Sequence, residues 1–345
     1  MGLLFLYVLL SVWLLCSLRY CRNGFYDAFD RIATNAVKGF FICIVFIRHA
    51  VGYIEASGYA YDCIGDRIFL AINRFSGQLI VVMFLFYSGF GVMASIHNKG
   101  MSYVRSMPRH RIMSTIVNFD IAVIVFGIVA YVLGDMISVA KLGLSLIGWS
   151  SVGNSNWYIF VIVLCYLATW ISGEVAARWV KVGGGAWLNA IILCCIAFVL
   201  SLVKQEWWYN TMLAYPAGCL YAEYRNVIEK FIKRNYWAVL VVLGFSLMAL
   251  VVVVAPSNGI LYNALALVFA LFIVTLSMKF MIDRRMLAWM GLNLFPLYIY
   301  QRIPMRILSS WNDGNCGVRV YVYFAACAAI TLAIARVFPC FRVKV

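Results

Sequence analysis

The stretch AVKGFFICIVFIRHAVGYIE, residues 36–55, decides the fold class of this chain. It is almost wholly apolar and is charged only at Lys38, Arg48 and Glu55. A run of this length is typical of a transmembrane helix, because about twenty apolar residues are needed to cross the hydrocarbon core of a bilayer. Similar apolar runs recur along the whole sequence. The eleven predicted spans are 2–18, 37–54, 76–96, 111–133, 156–172, 186–203, 208–222, 237–255, 259–279, 287–303 and 319–338.

The composition agrees with a membrane protein and excludes an ordinary soluble one. The 345 residues are 65% hydrophobic and only 12% charged, and the mean hydropathy is +0.92. Because the alternating segments of a β-barrel are absent, the sequence predicts an all-α fold, a polytopic transmembrane helical bundle. We expect an extra N-terminal helix and loop over residues 1–34, followed by the main membrane domain over 35–345. The short run 208–222 contains Pro216 and Gly218 and could be a broken or half-inserted helix.

The charges predict the orientation of the chain. Lys and Arg number 28 against 13 Asp and Glu, a net charge of +15. If the N-terminus lies outside, 20 of the basic residues fall on inner loops, 7 on outer loops and Arg48 within a span. Such a bias is what the positive-inside rule requires, so we expect a multi-pass protein with an outer N-terminus and a cytoplasmic C-terminus. Topology accounts for the excess of positive charge without nucleic acid as a partner.

The eleven cysteines give little indication of a metal site. Most fall within predicted spans, where Cys behaves as a small apolar residue, and no C-x-x-C pair occurs. We therefore expect no metal. Cys63 and Cys316 lie on predicted outer loops and could form a disulfide if that compartment is oxidising.

Arg48 and His49 interrupt the apolar run of the second span. Ionisable groups inside a span are costly and indicate function, although a buried histidine with a hydrogen-bond partner is an equal alternative for His49 alone. Lys38 and His49 are eleven residues apart, so they share one helix face at a separation of about 16 Å. Asp120 lies at a similar depth in the fourth span. We expect it to pair with Arg48 or to orient His49.

A basic loop, HNKGMSYVRSMPRHRIM, precedes the fourth span and contains Arg105, Arg109 and Arg111. Ser106 and Pro108 are plausible start signals for the next helix. Several arginines at a helix N-terminus favour phosphate binding through backbone N–H groups and guanidinium forks. The alternative is that these residues only set the topology.

Two further groups of residues have both a structural and a functional interpretation. Ser88 and Gly89 lie among aromatic residues in the third span, where helix packing is the simpler interpretation. On the predicted outer side, Trp157 and Tyr158 are suited to sugar rings, but they also suit the aromatic belt of a membrane protein.

Taken in order, these motifs resemble the membrane-bound acyltransferase family 3, whose members acylate surface carbohydrates. The resemblance covers roughly residues 35–305, and the helix 2–18 is an addition to the family's ten-helix core. The matching motifs are Lys38-Gly39 followed by His49, FLFYSGFGV at 84–92, YVRSMPRHRI at 103–112, NWYIFVIVLCYL at 156–167, YPAGCLYAEY at 215–224 and GLNLFPLYIYQ at 291–301.

The resemblance implies an O-acyltransferase that uses acetyl-CoA as acyl donor and a cell-surface or lipid-linked carbohydrate as acceptor, in the inner membrane of the cell. It implies a catalytic site of His49 with Arg48 and Asp120. The donor would be bound by Lys38, Arg105, Arg109 and Arg111, and the acceptor by Ser88, Trp157, Tyr158, Tyr300 and Gln301. His49 would act as general base on the acceptor hydroxyl or promote proton transfer within a transient acyl intermediate.

The sequence departs from the family pattern at three of these positions. Lys38 stands where members often have Arg, and Gln301 stands where they often have His, which removes a titratable group. Arg48 directly before His49 is not a family feature.

A proton-coupled transporter or flippase, with Arg48, His49 and Asp120 as its relay, is the main alternative function. It would favour inverted repeats and paired broken helices, and the sequence gives no convincing sign of either. A non-catalytic scaffold leaves the buried Arg48-His49 pair unexplained.

Overall fold

The computed structural model describes residues 2–179, 184–254, 259–309 and 317–344. These residues form an all-α bundle with one two-stranded ribbon, as the sequence predicts. Seven of the described helices are long and apolar enough to cross a membrane, and they fit a multi-pass membrane protein. The α-helices are α1 (Leu4–Leu15), α2 (Arg31–Ala56), α3 (Ile64–Ser76), α4 (Leu79–Lys99), α5 (Met101–Met107), α6 (Ser114–Val132), α7 (Val139–Leu146), α8 (Trp157–Trp179), α9 (Gly184–Val203), α10 (Ala214–Glu223), α11 (Arg225–Arg234), α12 (Tyr236–Val253), α13 (Gly259–Ser277), α14 (Arg285–Leu292), α15 (Leu294–Tyr300), α16 (Arg302–Ser309) and α17 (Gly317–Phe341).

Helix α2 is the element around which the site is built. The side chain of Asp30 caps its N-terminus by accepting hydrogen bonds from the backbone N–H groups of Ile32 and Ala33. Its 26 residues correspond to about 39 Å of helix, which is longer than the hydrocarbon core of a bilayer. Lys38 therefore lies two turns from the start of the helix, and His49 lies three turns further along.

Glycines bring two pairs of helices into backbone contact. A Cβ atom on Gly39 of α2 would overlap the carbonyl oxygen of Leu287 in α14, and one on Gly291 of α14 would overlap that of Asn35. Gly89 of α4 and Gly218 of α10 form an equivalent crossing, so the packing role expected of Gly89 is confirmed. Small residues permit such close helix approach in membrane proteins. The crossing of α2 and α14 holds α14 against the side of α2 that contains Asn35 and Gly39. It thereby positions the chain that follows α14.

The N-terminal helix is tied to the rest of the bundle. It spans only Leu4–Leu15, which is shorter than the predicted span 2–18. Its first turn is held by Asp66, which accepts a hydrogen bond of 2.7 Å from the Leu3 N–H. After the helix, β1 (Leu18–Tyr20) pairs antiparallel with β2 (Phe280–Ile282).

The predicted helix start at Ser106 and Pro108 is wrong. The helix begins at Met101 and runs on to Val132, passing through one π-helical turn over Pro108–Met113. The wider π turn accommodates Pro108 within the helix, and such turns often occur at functional sites. Because the helix is continuous there, the backbone N–H groups expected to bind phosphate are not free at Pro108.

The predicted span 287–303 is three short helices, α14, α15 and α16, with breaks at Asn293 and Gln301. Asn293 ends α14 by donating from its side-chain amide to the carbonyl oxygen of Trp289, over 2.9 Å. Pro296, which has no backbone N–H, follows three residues later. The region 208–222 is also broken, into a 3₁₀ turn and the buried α10, as its Pro and Gly predict. Four of the eleven predicted spans are thus short or interrupted: 2–18, 208–222, 259–279 and 287–303.

The expected disulfide between Cys63 and Cys316 lies outside the described residues, because Cys316 is not among them. Cys63 is described, and its thiol contacts Asp66 Oδ2 at 3.2 Å.

Candidate functional site

Lys38 and His49 face two cavities that follow one another along α2. The first, which we call the basic cavity, has a volume of about 530 Å³ and contains Lys38 and Arg111 in its wall. The second, the histidine chamber, has a volume of about 200 Å³ and is lined by Arg48 and His49. The eleven-residue spacing therefore places the two side chains as the sequence predicts.

The break between α14 and α15 forms one wall of the basic cavity. The lining includes residues 291–296 in succession, together with Tyr298. Irregular backbone within a membrane domain is tolerated where it lines a polar cavity. Facing it are Arg111 from the π turn and Tyr158 and Tyr166 from α8.

The histidine chamber is held by a cluster of polar groups at the start of α4. The guanidinium group of Arg48 donates a hydrogen bond to the carbonyl oxygen of Gly77. The hydroxyl of Tyr262 accepts hydrogen bonds from the N–H groups of Gln78 at 2.7 Å and Leu79 at 3.2 Å. Gly77 and Gln78 both line the chamber. Arg48 thus links α2 to the segment that leads into the N-terminus of α4.

His49 is available for chemistry. Its Nδ1 atom is buried and has no hydrogen-bond partner among the described residues. Two guanidinium groups, those of Arg302 and Arg48, act electrostatically on the imidazole. Arg302 is oriented by contacts of 3.4 Å to the carbonyl oxygens of Gly153 and Asn154. Buried positive charge beside a base can stabilise an anion that develops during a reaction.

Tyr298 is a wall of both cavities. Its ring centroid lies 6.2 Å from that of His49 and 5.2 Å from that of Tyr158. Tyr158 lines the basic cavity, whereas its neighbour Trp157 lines the histidine chamber. Trp157 and Tyr158 therefore line different cavities, and Tyr298 lines both.

Six of the predicted site residues line neither cavity: Ser88, Arg105, Arg109, Asp120, Tyr300 and Gln301. Arg105 and Arg109 are exposed and do not line the basic cavity, because the continuous helix turns them away from the face that carries Arg111. Asp120 is half-buried, and its Oδ1 atom has no partner in the described part of the chain. The expected pairing of Asp120 with Arg48 or His49 is not formed.

The other three, Ser88, Tyr300 and Gln301, contact residues of the cavity walls without lining either cavity themselves. The hydroxyl of Ser88 lies 3.1 Å from that of Tyr166, which lines the basic cavity. Tyr300 packs against Phe338 and Phe341, with ring centroids 6.0 and 6.1 Å apart, and lines neither cavity. Gln301 lines a separate apolar cavity of about 410 Å³ beside α1.

Several site residues were not predicted from the sequence. Asn293, Tyr298, Arg302, Arg342 and Lys344 belong to this group. For Tyr298 and Asn293 a signal existed, since the spacing of Asn293 and Pro296 within an apolar run indicates a broken helix. Arg302, Arg342 and Lys344 carry no local motif, because only the packing of distant helices brings them to the site.

The imidazole of His49 thus lines one cavity and the cations line the other, and the Tyr298 ring is a wall of both. A cationic cavity suits a polyanionic substrate, and an imidazole suits proton transfer to or from a reacting group. The family model described as "Acyltransferase domain" matches residues 31–336, nearly the whole chain. Comparison with curated proteins and with solved structures gives no significant match. The match covers all the residues that line the histidine chamber and most of those that line the basic cavity, and the chain belongs to acyltransferase family 3.

Proposed function

We propose that this acyltransferase is an O-acetyltransferase that moves the acetyl group of cytosolic acetyl-CoA to a hydroxyl of a cell-surface or lipid-linked carbohydrate. One observation carries the proposal. Lys38 and His49 lie on one face of α2 and line two cavities that share Tyr298 as a wall. A polyanionic donor and a hydroxyl acceptor can therefore occupy adjacent cavities and react at their boundary.

The basic cavity suits the donor. Coenzyme A carries phosphate groups at one end of a long, narrow arm and the thioester at the other. Phosphates bound near Lys38 and Arg111 leave the arm to extend along α2, over the separation of about 16 Å that the helix rise gives between Lys38 and His49. Arg111 offers a guanidinium fork, which matches phosphate geometry, and its Nε atom is oriented by a hydrogen bond of 3.1 Å to the Tyr103 hydroxyl.

The histidine chamber suits the acceptor. It opens at the start of α4 and α8, the ends of these helices that the distribution of basic residues assigns to the outer side. Trp157 provides an aromatic face for a sugar ring, and Gln78 provides an amide for its hydroxyls. Acyl transfer between the two cavities then carries the acetyl group from the cytosolic side to the outer side of a multi-pass protein in the cell membrane.

The reaction follows from the position of His49. The imidazole removes the proton from the acceptor hydroxyl, and the hydroxyl oxygen attacks the thioester carbonyl. Arg48, Arg302 and the Tyr298 hydroxyl are the groups at hand to stabilise the oxyanion of the tetrahedral intermediate. The carbon–sulfur bond then breaks, and the thiolate takes the proton from the imidazolium. The products are the acetyl ester and coenzyme A.

The test compares His49→Ala with His97→Gln. His97 lies outside both cavities, and its Nε2 atom lies 2.8 Å from Oε2 of Glu223. Cells that lack the native gene are complemented with each variant, and their surface glycans are analysed for acetyl esters. We expect the wild type and His97→Gln to restore acetylation and His49→Ala to abolish it, with equal amounts of each protein in the membrane.

Full acetylation by His49→Ala would reject the catalytic assignment. If the wild-type protein carries acetyl-CoA-derived label to no carbohydrate, the proposed donor and acceptor are wrong. A proton gradient that drives sugar uptake into vesicles containing the purified protein would instead support the transporter.

A further inference from the structure

The last residues of the chain reach the basic cavity. The match to the acyltransferase family ends at residue 336, within α17, and the helix continues to Phe341. The segment after it, Arg342–Lys344, leaves the helix, and the side chains of Arg342 and Lys344 line the basic cavity. These two cations therefore join the cavity from outside the region that the family match covers.

Asn118 holds this segment in place. Its side-chain amide donates to the carbonyl oxygen of Val343 over 2.9 Å, and its Oδ1 atom accepts from the Val343 N–H over 3.0 Å. Asn118 is only 4% exposed, and both bonds are partly buried. The Asn118 amide thus bonds both the N–H and the C=O of Val343, the same two groups that a neighbouring β-strand would bond. Arg342 and Lys344, on either side of Val343, remain free to face the cavity.

An aromatic cluster fixes the end of α17. The ring of Phe338 packs against Phe295 and Phe341, with centroids 5.7 and 5.1 Å apart. The ring of Tyr300 also packs against Phe338 and Phe341. This cluster packs α15, which contains Tyr298, against the end of α17, which the segment Arg342–Lys344 follows. Tyr300 is thus a positioning residue for the C-terminal segment.

The cations of the basic cavity have no protein counterions in the described part of the chain. Lys38, Arg111, Arg342 and Lys344 line the cavity together, and the described lining contains no carboxylate. None of the four takes part in an ion pair between described residues. Like charges that share a cavity repel one another, and a bound polyanion relieves this repulsion. The cavity therefore fits a ligand with several phosphate charges.

We propose that the segment Arg342–Lys344 is a phosphate-binding arm of the donor site, held by Asn118, and that Arg342 and Lys344 contact the phosphate groups of coenzyme A. The inference rests on the proposed function and goes beyond it, because it assigns half of the four cations to a segment that lies outside the family match. The guanidinium group of Arg342 can bind a phosphate with two hydrogen bonds, and the ammonium group of Lys344 adds a second positive charge.

The experiment measures binding of coenzyme A to the purified full chain by isothermal titration calorimetry. A sugar-based detergent is used, so that coenzyme A is the source of phosphate and lipid headgroups are absent. The variants are Arg342→Gln with Lys344→Gln, and separately Asn118→Ala. Arg336→Gln is the matched control, since Arg336 is exposed on α17 and lines neither cavity.

We expect the double variant to bind coenzyme A about tenfold more weakly than the wild type, and with a shallower dependence on salt. Asn118→Ala should weaken binding severalfold although both cations remain, because the segment is no longer held. Arg336→Gln should bind as the wild type does. Repeating the titration with dephospho-coenzyme A identifies the phosphate concerned. If the loss disappears, the arm contacts the 3′-phosphate, and if it persists, the arm contacts the diphosphate.

Unchanged affinity in the double variant, with coenzyme A bound normally by the wild type, would overturn the inference and leave the proposed function intact. A loss of the same size in Arg336→Gln would also overturn it, because the effect would then be one of overall charge. If the wild type binds no coenzyme A, the proposed function itself fails. Thermal unfolding of each variant identifies any loss that comes from misfolding.

Discussion

The rings of His49 and Tyr298 lie 6.2 Å apart, centroid to centroid, in the wall of the histidine chamber. His49 lines only the histidine chamber, whereas Tyr298 lines both cavities. In the proposed reaction, a thioester that enters from the basic cavity passes Tyr298 before it reaches the imidazole. The Tyr298 hydroxyl would then be in a position to donate a hydrogen bond to the reacting carbonyl oxygen.

Replacing Tyr298 with Phe should lower kcat for acetyl transfer by about tenfold or more, because the variant keeps the wall and loses one hydrogen-bond donor to the oxyanion. The KM for acetyl-CoA should change little. Tyr300→Phe is the matched control from the same motif, since Tyr300 lines neither cavity. Steady-state kinetics with labelled acetyl-CoA measures both. Equal kcat values for the two variants would show that the Tyr298 hydroxyl has no part in the reaction.

The cations inside the basic cavity should matter more for the donor than those outside it. Lys38→Gln and Arg111→Gln should each raise the KM for acetyl-CoA by about tenfold, the usual effect of losing one charged hydrogen bond. Arg105→Gln and Arg109→Gln should change it by less than about twofold, because neither side chain lines the cavity. A large rise for Arg105 or Arg109 would mean that coenzyme A extends beyond the cavity onto the surface of the helix.

Sequence periodicity could predict the part of the site that lies on one helix. Lys38 and His49 share a face because eleven residues make three turns, and no other element is needed to deduce this. Gly89 could likewise be assigned to packing, since a glycine in a span indicates close helix approach. The family resemblance added the order of the motifs and hence the general class of chemistry.

Residues placed by contacts between distant helices could not be predicted in this way. Arg105 and Arg111 carry the same charge in the same loop, and only the continuous helix through the π turn separates their directions. Tyr298 and Tyr300 lie two residues apart, and the break at Asn293 decides which of them faces the cavities. Lys344 lies 306 positions after Lys38 in the sequence, and it reaches the same cavity because Asn118 holds Val343.

The crossing of α2 and α14 should be sensitive to a single methyl group. Gly39→Ala places a Cβ atom against the backbone of Leu287, which cannot move without displacing α14. We expect the free energy of unfolding to fall by about 1–3 kcal/mol, the usual cost of overpacking a core. Donor binding should weaken as well, because α14 leads into the cavity wall.

Gly52→Ala is the control for this change in the same helix. A Cβ atom on Gly52 meets no atom within 4 Å, so the substitution should leave stability unchanged or raise it by about 0.5–1 kcal/mol through its helix propensity. Unfolding in a denaturing detergent measures both variants. A neutral Gly39→Ala would show that the two helices can separate without loss.

The N-terminus of α4 depends on one hydroxyl from α13. Tyr262 is 3% exposed, and its hydroxyl accepts from the N–H groups of Gln78 and Leu79. Tyr262→Phe leaves these two groups without their acceptor, which should cost about 1–3 kcal/mol of unfolding free energy. Because Gln78 lines the histidine chamber, kcat should fall while the KM for acetyl-CoA stays the same.

Tyr236→Phe is the control. It removes a buried hydroxyl that has no partner in the described chain, so it should alter neither the free energy of unfolding nor kcat. Equal stability of the two variants would show that other groups satisfy the N-terminus of α4, and an unchanged kcat would separate this cap from the shape of the chamber.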